Sequence, residues 1–246
     1  MNNRLLWIYL GSGGFVLGAA LLGLLNSSVS IPIPTILHII SENTLGVGWL
    51  YDIPKNEEMI IWNIRYPRVL LAMFVGASLA LAGAAFQGLL RNPLADPYTI
   101  GVSSGAALGA VAVIFFNISI IGLGGFTLPV VAIFSGLFCL VLVFGLVRLS
   151  SRGLAIETII LAGIIISAFI SSIISLIIAL GDKESMTQII YWLYGSVGMR
   201  SWGHVQLILP FMMIGSIFLF LHYRELNAMA LGEEAADHIG VNVKRG

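Results

Sequence analysis

The residues of this chain that could do chemistry are few and scattered. Its four histidines are His38, His204, His222 and His238, and none is joined by further ligands into a metal-binding set. There is no HExxH, no GxSxG and no serine–histidine pairing of spans, so an intramembrane hydrolase has no support. Cys139 is the single cysteine and cannot form an internal disulfide; in its apolar run it reads as a small buried residue. The lysines are Lys55, Lys183 and Lys244, and none follows a glycine as in a phosphate-binding GK[ST] loop. If nucleotide hydrolysis drives this protein, the ATPase is another chain. No catalytic residue, metal or cofactor is expected.

The elements that carry these residues are membrane helices. The chain has 246 residues, 58% hydrophobic and 10% charged, with a mean hydropathy of +0.99. Soluble domains carry about 25% charged residues, so a polytopic membrane protein in a lipid bilayer is strongly implied. The net charge is zero, which implies no attraction to nucleic acid. Six spans can be drawn: Leu5–Leu25, Tyr66–Leu90, Ile100–Phe116, Phe126–Val147, Ala155–Leu180 and Val205–Leu221. The first follows a lone Arg4 without a small-residue cleavage site, and reads as a retained span. The one sizeable polar stretch is residues 26–63.

Basic residues set the orientation. With the N-terminus inside, the inner loops hold Arg4, Arg91, Arg148, Arg152, Arg224, Lys244 and Arg245. The outer side then holds Lys55, Arg65, Arg68, Lys183 and Arg200, so the bias favours a cytoplasmic N-terminus. No span carries a charge near its middle, which argues against ion-coupled transport, and neither half shows the matched broken helices of an inverted repeat.

Small residues recur every fourth position on three spans. Ala72, Gly76, Ala80, Ala84 and Gly88 form one ridge; Gly101, Gly105 and Gly109 a second; Gly163, Ser167, Ser171, Ser175 and Ala179 a third. Such ridges let helices approach closely in lipid, and they could also line a pathway. The serines could face that pathway or bond the carbonyl one turn back. In the loop RNPLADP, Arg91–Pro97, Asp96 before Pro97 reads as a helix N-cap with proline in the first position. After the sixth span, Leu231, Ala235 and Ile239 share one helical face, Glu233 and Asp237 another, and Gly240 suits a stop.

Together these stretches resemble the FecCD-type permeases, the membrane subunits of ABC importers for iron-siderophores, haem and cobalamin. The resemblance rests on RYPR at Arg65–Arg68, on GASLALAGAAFQGLLRNPLADPYTIGVSSGAALG at Gly76–Gly109, on WLYGSVG at Trp192–Gly198 and on LNAMALGEEAADHIGVNV at Leu226–Val243. It implies an all-α permease that acts as a homodimer or a heterodimer with a related permease, two copies of a cytoplasmic ATP-binding subunit, and an extracytoplasmic substrate-binding protein. It implies a coupling helix for the ATPase at Leu231, Gly232, Glu233, Glu234, Ala235, Ala236, Asp237, His238, Ile239 and Gly240, within a coupling region over residues 226–243. It implies that Arg65 and Arg68 meet acidic residues of the binding protein, where a guanidinium can grip a carboxylate bidentately. The expected cargo is an iron chelate, with cobalamin or haem as alternatives, and the expected site is a bacterial cell membrane. Residues 1–246 read as one permease domain. Family members run to about ten spans, so an incomplete chain is expected, and a non-transporting membrane component is the rival reading.

Overall fold

In a computed structural model, the described residues are 3–49, 53–149, 156–230 and 232; they are all-α, without strands. The helices are α1 (Asn3–Leu25), α2 (Ile33–Leu45), α3 (Lys55–Met59), α4 (Tyr66–Leu90), α5 (Val102–Phe115), α6 (Thr127–Leu149), α7 (Ile156–Leu180), α8 (Lys183–Tyr194), α9 (Trp202–Leu221) and α10 (Tyr223–Ala230). A π turn over Ile60–Arg65 fuses α3 to α4 into one rod of 36 residues. Among the described residues, five helical stretches are long and apolar enough to cross a membrane: those ending at Leu25, Leu90, Leu149, Leu180 and Leu221. The protein is a polytopic all-α membrane protein.

The third expected span, Ile100–Phe116, is corrected. Ile100 belongs to a 3-10 turn over Pro97–Ile100, and Gly101 sits in the left-handed region at φ 83°, so α5 begins only at Val102. Its 14 residues give about 21 Å of helix, short of a core of about 30 Å. Gly105, Gly109, Ala110, Val111 and Val113 are buried, so α5 is enclosed by protein. The polar stretch is also more ordered than its composition suggests. Pro32 and Pro34 set the start of α2, Gly46 closes it at φ 70°, and Ile36, His38 and Ile39 face inward. His38 accepts the Trp49 amide proton on Nδ1 at 2.9 Å, and its Nε2 lies 2.8 Å from Glu42.

The chain divides into two compact units. One comprises Met1–Leu81 and Val197–Leu221; its core joins Leu24, Ile31, Ile36, Ile39 and Ile61. The other comprises Ala82–Ser196 and His222–Gly246; its core joins Val111, Cys139, Ile170, Ile174 and Ile189.

Candidate functional site

Within the second unit, a proline corner sets α5 against α6 and α7. The Asp96 carboxylate accepts the Tyr98 amide proton at 2.8 Å, and the Thr99 hydroxyl donates to the Asp96 carbonyl. Pro97 starts the turn and Gly101 ends it, so the chain reverses into α5 within a few residues. Gly163 of α7 receives this corner. A Cβ there would lie 2.7 Å from the Ile100 Cα and would overlap the Thr99 carbonyl. The Cys139 thiol of α6 donates to the Gly101 carbonyl at 3.1 Å.

The α5–α6 contact is equally close. A Cβ on Gly105 would lie 2.8 Å from the Ser135 carbonyl and would overlap Cys139. One on Gly109 would lie 2.6 Å from the Ser135 Cβ. In return, Gly136 of α6 brings its own Cβ position to 3.1 Å from the Val102 carbonyl. These glycines permit backbone-close packing that a methyl group would block.

Beside this packed core, α5, α7 and α8 enclose an open groove of about 450 Å³, lined by Ser103, Ser104, Ser171, Ser175, Ile174 and Trp192 among others. Ser171 donates to the Ser167 carbonyl at 2.8 Å and Ser175 to the Ser171 carbonyl at 2.9 Å. Each hydroxyl thus spends its proton on its own helix and retains lone pairs that can accept from a solute. Ser167 differs: its Oγ is buried and unpartnered among the described residues, 3.4 Å from where a Gly101 Cβ would stand. The amphipathic helix α8 supplies Trp192 to the groove. Its N-cap is Asp182, which accepts the Ser185 amide at 3.3 Å; hydrogen bonding from Ser185 holds this carboxyl below the usual range.

The α4 ridge is placed differently. Ala72, Gly76, Ala80 and Ala84 are exposed, and a Cβ on Gly76 would meet nothing within 4 Å. At its last member, a Cβ on Gly88 would lie 3.8 Å from the Leu226 carbonyl and 4.0 Å from the Ala230 Cβ of α10. Gly232 brings its Cβ position to 3.8 Å from Arg91. The other residues expected to form a coupling helix, Leu231, Glu233, Glu234, Ala235, Ala236, Asp237, His238, Ile239 and Gly240, lie outside the described residues.

In the first unit, Arg65 and Arg68 occupy different environments. Arg65 is 4% exposed and donates to the Leu24 carbonyl at 2.8 Å and to the Val29 carbonyl. Arg68 is half-buried, with an Nε unpartnered among the described residues. The aromatic set beside them, Trp62, Tyr66 and Trp202, was not singled out by the sequence as a unit. Trp202 stands 140 residues from Trp62, yet donates from Nε1 to its carbonyl at 2.8 Å. Among the described residues no group of His, Cys, Asp and Glu could hold a metal ion.

Comparison with known proteins agrees with this architecture. The chain is 44% identical over 244 residues to an uncharacterized ABC transporter permease protein, YvrB, of Bacillus subtilis (strain 168), covering 99% of this chain and 68% of that protein. It is 35% identical over 198 residues to the cobalamin import system permease protein BtuC of Halobacterium salinarum, covering 79% of this chain and 51% of that protein. The chain therefore spans between about half and two thirds of the length of these relatives. A solved structure, an inward-facing conformation of an ABC transporter assigned to the metal-chelate type, superposes with a TM-score of 0.70 at 33% identity, covering 94% of this chain and 69% of that one. The model of the FecCD transport family matches residues 15–246, and the chain belongs to that family.

Proposed function

We propose that this chain is the membrane-spanning permease subunit of an ATP-driven, binding-protein-dependent importer of an iron chelate. It sits in a bacterial cell membrane with its N-terminus in the cytoplasm. Two copies of a cytoplasmic ATP-binding subunit power it, an extracytoplasmic binding protein delivers the cargo, and it works as a dimer with itself or with a related permease. It carries out no bond chemistry.

The observation that carries this reading is the serine-lined groove beside the glycine-packed corner. Ser103, Ser104, Ser171 and Ser175 give a wall of small, hydrogen-bonding, uncharged residues. Such a wall can pass a large chelate without gripping it, since binding stays weak enough for release. The metal-chelate assignment of the matched structure supports the cargo class. The ATPase is proposed to act through residues 226–243, a region that begins within α10, which lies near Gly88. Docking of the binding protein is proposed at the Arg65–Arg68 end of α4, with Arg68 as the contact, because the Arg65 guanidinium already serves two carbonyls.

The test uses the full-length gene product with its ATP-binding and binding-protein partners in proteoliposomes. ATP-dependent uptake of an iron-55 siderophore, blocked by Ser175→Phe in a folded variant, is expected. ATP-dependent uptake of cobalamin or haem in its place would reassign the cargo. Absence of any ATP-dependent uptake would overturn the importer reading in favour of a non-transporting membrane component.

A further inference from the structure

Pro67 stands in the first turn of α4 and has no backbone N–H. Just before it, Ile60–Arg65 wind as a π turn, in which the Tyr66 amide donates to the Ile61 carbonyl. The Trp62 carbonyl thereby lacks both the i+4 donor of an α-helix and the i+5 donor of a π-helix. The amide at residue 66 is engaged with Ile61, and residue 67 is proline. An unpaired carbonyl is costly in an apolar surrounding. The indole Nε1 of Trp202 fills the vacancy from the first residue of α9. Its ring also packs against those of Trp62 and Tyr66, with centroids 4.8 and 5.6 Å away.

The same π turn projects Arg65 beside the last turn of α1. Carbonyls at a helix C-terminus have no intrahelical partner, and the helix dipole favours a cation there. Arg65 reaches Leu24 within that last turn and Val29 in the loop that follows, while Ile61, fully buried, packs in the same core as Leu24. One irregular turn therefore gathers three chain segments: α1 through Arg65, α4 through its own helix, and α9 through Trp202.

We propose that Arg65 and Trp202 are positioning residues that lock this π turn, the indole by replacing the donor Pro67 lacks and the guanidinium by capping α1. The lock sets the direction of Arg68, which follows Pro67; that last consequence rests on the docking reading above.

The test is hydrogen exchange of the full chain in lipid nanodiscs. Trp202→Phe keeps an aromatic ring and removes the N–H. It should speed exchange of the amides over residues 62–66 by about tenfold, the scale of one lost hydrogen bond. Pro67→Ala returns an N–H that can reach the Trp62 carbonyl, so adding Trp202→Phe to it should change exchange by less than about twofold. If Trp202→Phe alone does not accumulate, recovery of folded protein in the double variant is read the same way. Exchange in Trp202→Phe equal to the parent, or no rescue by Pro67→Ala, would overturn the proposal. Arg65→Lys retains the charge and loses the fork that spans two carbonyls. It should also speed exchange over residues 62–66, and unchanged exchange would overturn the part assigned to Arg65. Arg68→Glu separates the two readings: it should weaken capture of the binding protein and leave exchange unaltered. Unaltered capture would remove the docking reading and leave the lock standing.

Discussion

Two ridges of small residues with the same four-residue spacing have opposite surroundings. On α5, Gly105 and Gly109 are buried against α6, and any Cβ there would strike Ser135 or Cys139. On α4, Ala72, Gly76, Ala80 and Ala84 are exposed, and a Cβ on Gly76 would enter open space. Spacing shows that a helix can be approached closely; it does not show who approaches. The α5 ridge is consumed inside the chain because α5 is short and enclosed. The α4 ridge belongs to a rod of 36 residues whose small face is left to whatever surrounds the chain, lipid or protein.

The comparison can be broken at the buried ridge first. Gly105→Val should destabilise by about 3 kcal/mol or more, since backbone as well as side chain stands in the way. Thermal unfolding in detergent, followed by tryptophan fluorescence, measures it; a midpoint equal to the parent would mean that α5 and α6 are not held this closely. A subtler probe pairs Gly109→Ala with Ser135→Gly. The two changes should offset each other by about 1–2 kcal/mol, because the second removes the atoms that the first would strike. Strict additivity would contradict the contact. Next comes the corner that aims the ridge: Asp96→Ala should cost about 1 kcal/mol, the usual loss for a cap, with Asp96→Asn close to neutral. The smallest effect belongs to the open ridge. Gly76→Ala should shift stability by less than about 1 kcal/mol, and in the stabilising direction, since alanine is the better helix former. A large loss there would reveal a partner that covers α4.

The long spans were legible in the sequence because length and composition suffice for them. The Asp96 cap was legible because Asp-Pro is a local signal, and it is made by atoms two residues apart. The length of α5 was not, since an apolar run says nothing of the left-handed turn at Gly101 that cuts it short. The start of α4 at Tyr66 agrees with the span drawn from sequence, but the π turn and α3 that extend the rod back to Lys55 were not legible. Proline is tolerated there because a π turn and a distant indole make good the missing donor. Helix α2 was hidden inside a stretch judged by its charges, although Pro32, Pro34 and Gly46 bracket it. At the candidate site, the serine hydroxyls were narrowed to two roles by sequence, and the geometry allows both at once for Ser171 and Ser175. The division of labour between Arg65 and Arg68 could not be read, because it depends on Leu24 and Val29, which sequence does not place beside them.

The bond between Trp202 and Trp62 also has a consequence in time. A ribosome adding about 5–20 residues per second makes Trp62 and then needs on the order of ten seconds to reach its partner 140 residues later. Through that interval the start of α4 lacks the donor that Pro67 withholds. The start of α4 is therefore among the last parts of this unit to be finished. A chain interrupted before α9 would leave that carbonyl without its indole donor.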